Sequence, residues 1–274
     1  MSRYSDAEFD EALDLVEEEL DAGDPEQARQ ICEDLVRARP ESADARFLLA
    51  ESHRDLGDVE VAEREYRRAV GIDPHYSTAW GGLAGVLFDT LRFDEARSAV
   101  GRAIRENPEN AQALYVRGLL RERRGDDAGA RRDFWRANRF DPAGFPRPVP
   151  LDDATVSAVV EETIRELHPT IQEFLSNVAL VLEELPDEAL CREFDPPMPP
   201  SEILGWFGGP TTHELAGASS WGSLPPTIVF FRKNLERIAS DRERMITELR
   251  ITVFHEIGHF LGLDEEDLAE RGLD

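Results

Sequence analysis

The first half of the chain repeats a pattern of small, apolar and turn-forming positions every 34 residues. Pro40, Pro74, Pro108 and Pro142 form one series, Ala28, Ala62, Ala96 and Ala130 a second, and Leu35, Ala69, Ala103 and Ala137 a third. Gly23, Gly57 and Gly125 form a fourth, with Leu91 in its third place. Series that coincide at one period predict a stack of like units, each a helix, a turn and a second helix. The Gly position turns the chain, and the alanines let paired backbones approach. The proline closes the second helix, since a helix cannot run easily through it. The period sets four units at about 9–42, 43–76, 77–110 and 111–144.

A period of this length with small residues at these offsets resembles the tetratricopeptide repeat family. The resemblance implies an all-α solenoid over residues 1–145, with a concave groove that takes a peptide or protein ligand. Tyr66, Trp80 and Phe134 read as packing between helices rather than as ligand contacts.

Beyond residue 145 the pattern changes. Pro142, Pro146, Pro148 and Pro150 fall within ten residues and predict an extended connection to a second domain over 146–274. Val156, Val159, Val160, Ile164 and Leu167 share one side of a helix over 152–167, which His168-Pro169 ends. Residues 177–185 and 227–231 read as strands, and 195–226 hold most of the Pro and Gly of a loop-rich region. Leu249, Val253, Ile257 and Phe260 recur at helical spacing on a mostly buried helix. Ser240 and Glu243 read as a capping box that starts it near Asp241. The second domain is therefore predicted to be small and α+β.

Charge narrows the partners. The chain of 274 residues carries a net −26. Residues 1–44 hold 4 Arg against 15 acids, 45–145 hold 17 of each sign, and 146–274 hold 10 basic against 25 acidic residues. That balance argues against nucleic-acid binding. No run of 18 apolar residues is present and Met1–Asp6 lacks an apolar core, so neither a membrane span nor a signal peptide is expected. Cys32 and Cys191 fit neither a disulfide framework nor a C-x-x-C motif, which suggests buried thiols and a cytoplasmic protein.

The chemistry is concentrated in His255-Glu256-Ile257-Gly258-His259. Residues four apart share a helix face, so both imidazoles can aim at one Zn²⁺. Glu256 stands beside the first ligand, within reach of a water to be activated. Gly262 can take positive φ and turn the chain back toward the metal. A catalytic zinc takes a third protein ligand. With fifteen residues following His259, that ligand is sought among Asp264, Glu265, Glu266, Asp267 and Glu270, or upstream at His213. The pattern H-E-x-x-H-x-x-G-x-x-H puts it three residues past the glycine, at Glu265, with Asp264 the alternative. His213 is also a possible substrate contact.

These residues, with Asn177–Pro186, Leu204–Gly209 and Pro226–Arg232, resemble the small bacterial zincin-like metallopeptidases over roughly 150–274. Glu265 stands where that family carries Asp. The resemblance implies a zinc hydrolase whose edge strand aligns an extended substrate, with Glu256 as base. Joined to the repeats, it implies a metallopeptidase with a recruiting domain. The alternatives are an interaction scaffold whose zinc site is structural, and a metal hydrolase with a non-peptide substrate. The sequence leaves the oligomeric state open.

Overall fold

The computed structural model of the chain describes residues 4–212 and 225–270. The chain divides into two compact units, Met1–Phe145 and Pro146–Asp274.

The first unit is built of helix pairs: α1 (Asp6–Asp21) with α2 (Pro25–Ala38), α3 (Ala43–Asp55) with α4 (Val59–Ile72), α5 (Ser77–Asp89) with α6 (Phe93–Glu106), and α7 (Ala111–Glu122) with α8 (Asp127–Phe140). Gly23, Gly57 and Gly125 turn the chain between partners at φ of +80°, +80° and +75°. In the third pair Leu91 does the same at +62°, although it carries a side chain. That side chain is only 9% exposed, so apolar burial holds it in a backbone region that disfavours it. Each second helix stops two residues before its proline.

The alanine series are buried throughout. Gly82 and Gly118 show why small residues are needed. A Cβ on Gly82 would lie 2.4 Å from the Tyr66 ring, and one on Gly118 would lie 2.5 Å from the ring of Phe134. Tyr66 and Phe134 are buried between helices, while Trp80 is half-buried and donates to the Pro74 carbonyl at 3.0 Å. In the fourth pair Asp133, 1% exposed, accepts from both Arg117 and Arg121 at 2.6 Å. Arg136 bonds the Pro108 carbonyl, and Arg123 lies over the Phe93 ring. Much of this repeat's arginine excess is thus engaged within its own stack.

The second unit runs α9 (Asp153–Glu166), α10 (Pro169–Leu175), β1 (Ala179–Glu183), α11 (Glu188–Cys191), β2 (Gly205–Gly208), β3 (Thr227–Phe231), α12 (Arg232–Arg237), α13 (Arg242–Leu261) and α14 (Glu265–Ala269). The strands form one sheet in the order β1-β3-β2. β1 is parallel to β3, and β2 is antiparallel to it with Gly205 opposite Phe230. The continuously apolar 227–231 strand is therefore the centre of the sheet, and 205–208 is an edge. A central strand has both faces covered, which is why it reads as an unbroken apolar run. β1 is the other edge, and its Leu180 is 42% exposed.

Leu249, Val253, Ile257 and Phe260 turn the buried face of α13 into a core shared with α9 and β3. Phe207 of β2 meets Phe260 with ring centroids 5.7 Å apart, which ties the edge strand to the helix. Buried Asn234 donates to the carbonyls of Pro200 at 2.8 Å and Ile203 at 2.6 Å, fixing the approach to β2. One detail of α13 departs from expectation. Its cap is Asp241, whose carboxylate accepts from the Arg244 amide at 2.9 Å, so the predicted Ser240–Glu243 box does not form. Asp241 takes the cap one residue later because its own backbone is already extended there. His168 is the cap of α10, its Nδ1 accepting from Thr170.

Candidate metal centre

Helix α13 sets the chemistry. His255 and His259 are one turn apart on it, and their Nε2 atoms lie 3.0 Å from each other. His259 Nδ1 is 3.1 Å from the Leu263 carbonyl. A carbonyl can only accept, so Nδ1 carries the proton and Nε2 turns a lone pair toward His255.

The return of the chain supplies that carbonyl. Gly262 ends α13 at φ +92°, in the left-handed region that favours glycine. The Leu263 amide then bonds the Gly258 carbonyl at 3.0 Å, closing the turn. Gly258 itself must be small, since a Cβ there would meet Leu268 at 2.4 Å.

The two candidate carboxylates part at the next helix. Asp264 is the cap of α14, with its side chain accepting from the Asp267 amide at 2.9 Å. Glu265, the first residue of the helix proper, turns to the histidines. Its oxygens lie 3.4 Å from His259 Nε2 and 3.7 Å from His255 Nε2. One ligand atom from each of His255, His259 and Glu265 can be chosen so that all lie within 4.8 Å of one another. Two imidazole nitrogens and one carboxylate are a donor set that suits zinc. His213 lies outside the described residues.

Glu256 lies at the same place but in a different environment. It is 4% exposed, and its Oε2 has no hydrogen-bond partner. Burial, and secondarily the charge of Glu265, push its carboxyl up to about 8. Gly205, opposite on β2, leaves just enough room: a Cβ there would come within 2.6 Å of Glu256 Oε1. Sequence reasoning did not single out Gly205 by itself. Its only signal is the pair of glycines that bracket Trp206 and Phe207 on a short apolar segment.

A cleft of about 1090 Å³ opens over this cluster. Met198, Ile203, Trp206, Ile238 and Ile251 give it an apolar lining, and β2 forms one wall. Among the described residues no helix is long and apolar enough to cross a membrane.

Comparison with known families agrees with both units. A family described as zincin-like metallopeptidase matches residues 175–273. Two tetratricopeptide repeat families match residues 13–77 and 53–120. The chain is similar to human tetratricopeptide repeat protein 36, with 32% identity over 133 residues that cover 44% of this chain and 67% of that protein. It is similar also to the type IV pilus assembly protein PilF of Pseudomonas aeruginosa, with 27% identity over 129 residues, 45% of this chain and 51% of that one. The chain thus spans about half of the PilF relative's length. A solved structure of P. aeruginosa PilF is 25% identical, covers 49% of this chain and 61% of its own, and has a TM-score of 0.44.

Proposed function

We propose, for a chain that belongs to the tetratricopeptide repeat proteins and carries a zincin-like metallopeptidase domain, that it is a zinc-dependent peptide hydrolase whose repeats recruit a protein or peptide. The observation that carries this reading is the meeting of His255, His259 and Glu265 beside the buried, unpartnered carboxylate of Glu256. The first three would hold Zn²⁺, with Asp264 committed to its cap. When bound, zinc polarises a carbonyl and makes water a better nucleophile at neutral pH.

The chain's own residues do the rest. The Glu256 carboxylate takes the proton of the attacking water and returns it to the leaving amine. The Leu263 carbonyl keeps His259 in the tautomer that can ligate. Among the described residues β2 pairs with β3 on one side only, and its other edge would align an extended peptide along the cleft by main-chain bonds. A structural zinc site is closed by four protein ligands and has no use for a separate buried carboxylate, which favours catalysis over a scaffold role. Two buried cysteines in separate units fit a reducing compartment, and we place the protein in the cytoplasm.

Metal analysis joined to cleavage of a peptide library tests the reading. The purified chain should hold about one zinc, bound by the one cluster of this kind among the described residues. His255→Ala with His259→Ala should abolish it, and Glu265→Ala should weaken it more than Asp264→Ala. Glu256→Gln should keep the metal and lose turnover. Zinc retained by the double histidine variant removes the site, and cleavage retained by Glu256→Gln removes the base.

A further inference from the structure

The cleft over the cluster is lined by one sign of charge. Asp195, Glu202 and Glu248 border it in addition to Glu256, Asp264 and Glu265, and no Lys or Arg does so among the described residues. Three of these carboxylates already have work: Glu265 in the ligand set, Glu256 as base and Asp264 as a helix cap. Asp195, Glu202 and Glu248 have none, since no ion pair or side-chain hydrogen bond engages their carboxylates among the described residues.

Position gives two of them meaning. Glu248 precedes His255 by two turns of α13 on the same face, about 10 Å along the helix axis. An extended peptide covers that distance in roughly three residues. Glu202 stands three residues before Gly205, where the chain enters β2, and lines the same cleft. Met198, Ile203, Trp206 and Ile251 line the same cleft. A carboxylate beside apolar surface holds a cation more strongly than one in open water. The same cleft holds Glu256 with a buried oxygen that bonds nothing, which independently marks it as a place built to receive a ligand.

We propose that the cleft selects peptides bearing Lys or Arg about three residues from the scissile bond, with Glu248 and Glu202 holding the cation and the apolar lining holding its neighbours. The proposal rests on the peptide-hydrolase reading. Acidic peptides are repelled by the same rim. Glu248 is the stronger determinant, because a 20-residue helix with a buried face fixes its position.

The test reads binding without turnover. Fluorescent peptides, N-acetylated and C-amidated, scan Lys, norleucine or Glu through one short sequence. They are titrated into the full-length, zinc-loaded Glu256→Gln protein. At its best position Lys should bind about fivefold tighter than norleucine, the size of one partly exposed ion pair. Glu should bind weakest. The Lys advantage should close when Glu202→Gln and Glu248→Gln are added, with zinc content unchanged, and should shrink at roughly 0.5 M salt. Equal affinity for Lys and norleucine at every position overturns the proposal, as does an advantage that survives the double substitution. An advantage that follows the free α-amino group of a norleucine peptide, and not the Lys side chain, overturns it in favour of amino-terminal recognition. Binding decides the charge preference and wild-type cleavage decides the hydrolase reading, so the two fail separately.

Discussion

Glu265 and Asp264 are adjacent, both acidic and both placed near the end of the H-E-x-x-H helix, yet their side chains go to different tasks. Capping separates them. Asp264 has extended backbone at the start of α14 and a short side chain that reaches the Asp267 amide. Glu265, one residue on and one methylene longer, is left to face the histidines. Gly205 is the other decisive residue. Its missing Cβ is the space in which Glu256 Oε1 sits. Gly205→Ala should therefore push Glu256 aside while leaving the three-ligand set intact. We expect unchanged zinc content and a loss of peptide hydrolysis of about tenfold or more, since sub-ångström placement governs proton transfer. Paired metal analysis and kcat measurement check this, and full activity in Gly205→Ala would show that Glu256 tolerates the displacement.

At the scale of elements, turns and caps carry the predictions. Gly57 is at φ +80° and a Cβ there would touch nothing within 4 Å. Gly57→Ala thus isolates the backbone penalty, and the repeat unit should lose about 1 kcal/mol in urea unfolding. The Leu91 turn pays the same penalty against a gain from burial, so Leu91→Gly should not stabilise. At α13 the cap is Asp241. Asp241→Ala should cost about 1 kcal/mol of second-unit stability, and Ser240→Ala almost nothing. The opposite order in thermal melts would return the cap to Ser240. The 34-residue period was legible because each unit solves one packing problem with the same small residues at the same offsets. The capping of α13 was not, because Ser240 and Asp241 are equally good cap residues and only backbone geometry chooses between them.

At the scale of the whole molecule, metal dependence should separate the two units. A ligand that binds only the folded state stabilises it by mass action. Chelation should therefore lower the melting transition of residues 146–274 and leave that of the repeats in place. Differential scanning calorimetry with and without chelator reads both transitions at once. Transitions that all ignore chelator would show that zinc contributes nothing to the fold. The charge distribution belongs to this scale too. The acids of the second half are not merely spread over a surface, since six of them line one cleft with no Lys or Arg among the described lining.

The sequence alone determined the repeat architecture, the α+β character of the second half and the meeting of His255, Glu256 and His259 on one helix. Each of these follows from a pattern along the chain: a 34-residue period for the solenoid, short apolar runs against helical spacing for fold class, four residues for the two imidazoles. Periodicity is local, so it survives in one dimension. Tertiary structure alone decided that 227–231 is the central strand and 205–208 the edge, because strand order is set by pairing across residues far apart in the chain. It put Asp264 at the cap of α14 and turned Glu265 toward the histidines. It also brought Gly205 against Glu256, 51 positions away, and Glu202 and Glu248 into the lining of one cleft. No spacing along the chain encodes such contacts, because they exist only once the core of α13, β2 and β3 has packed.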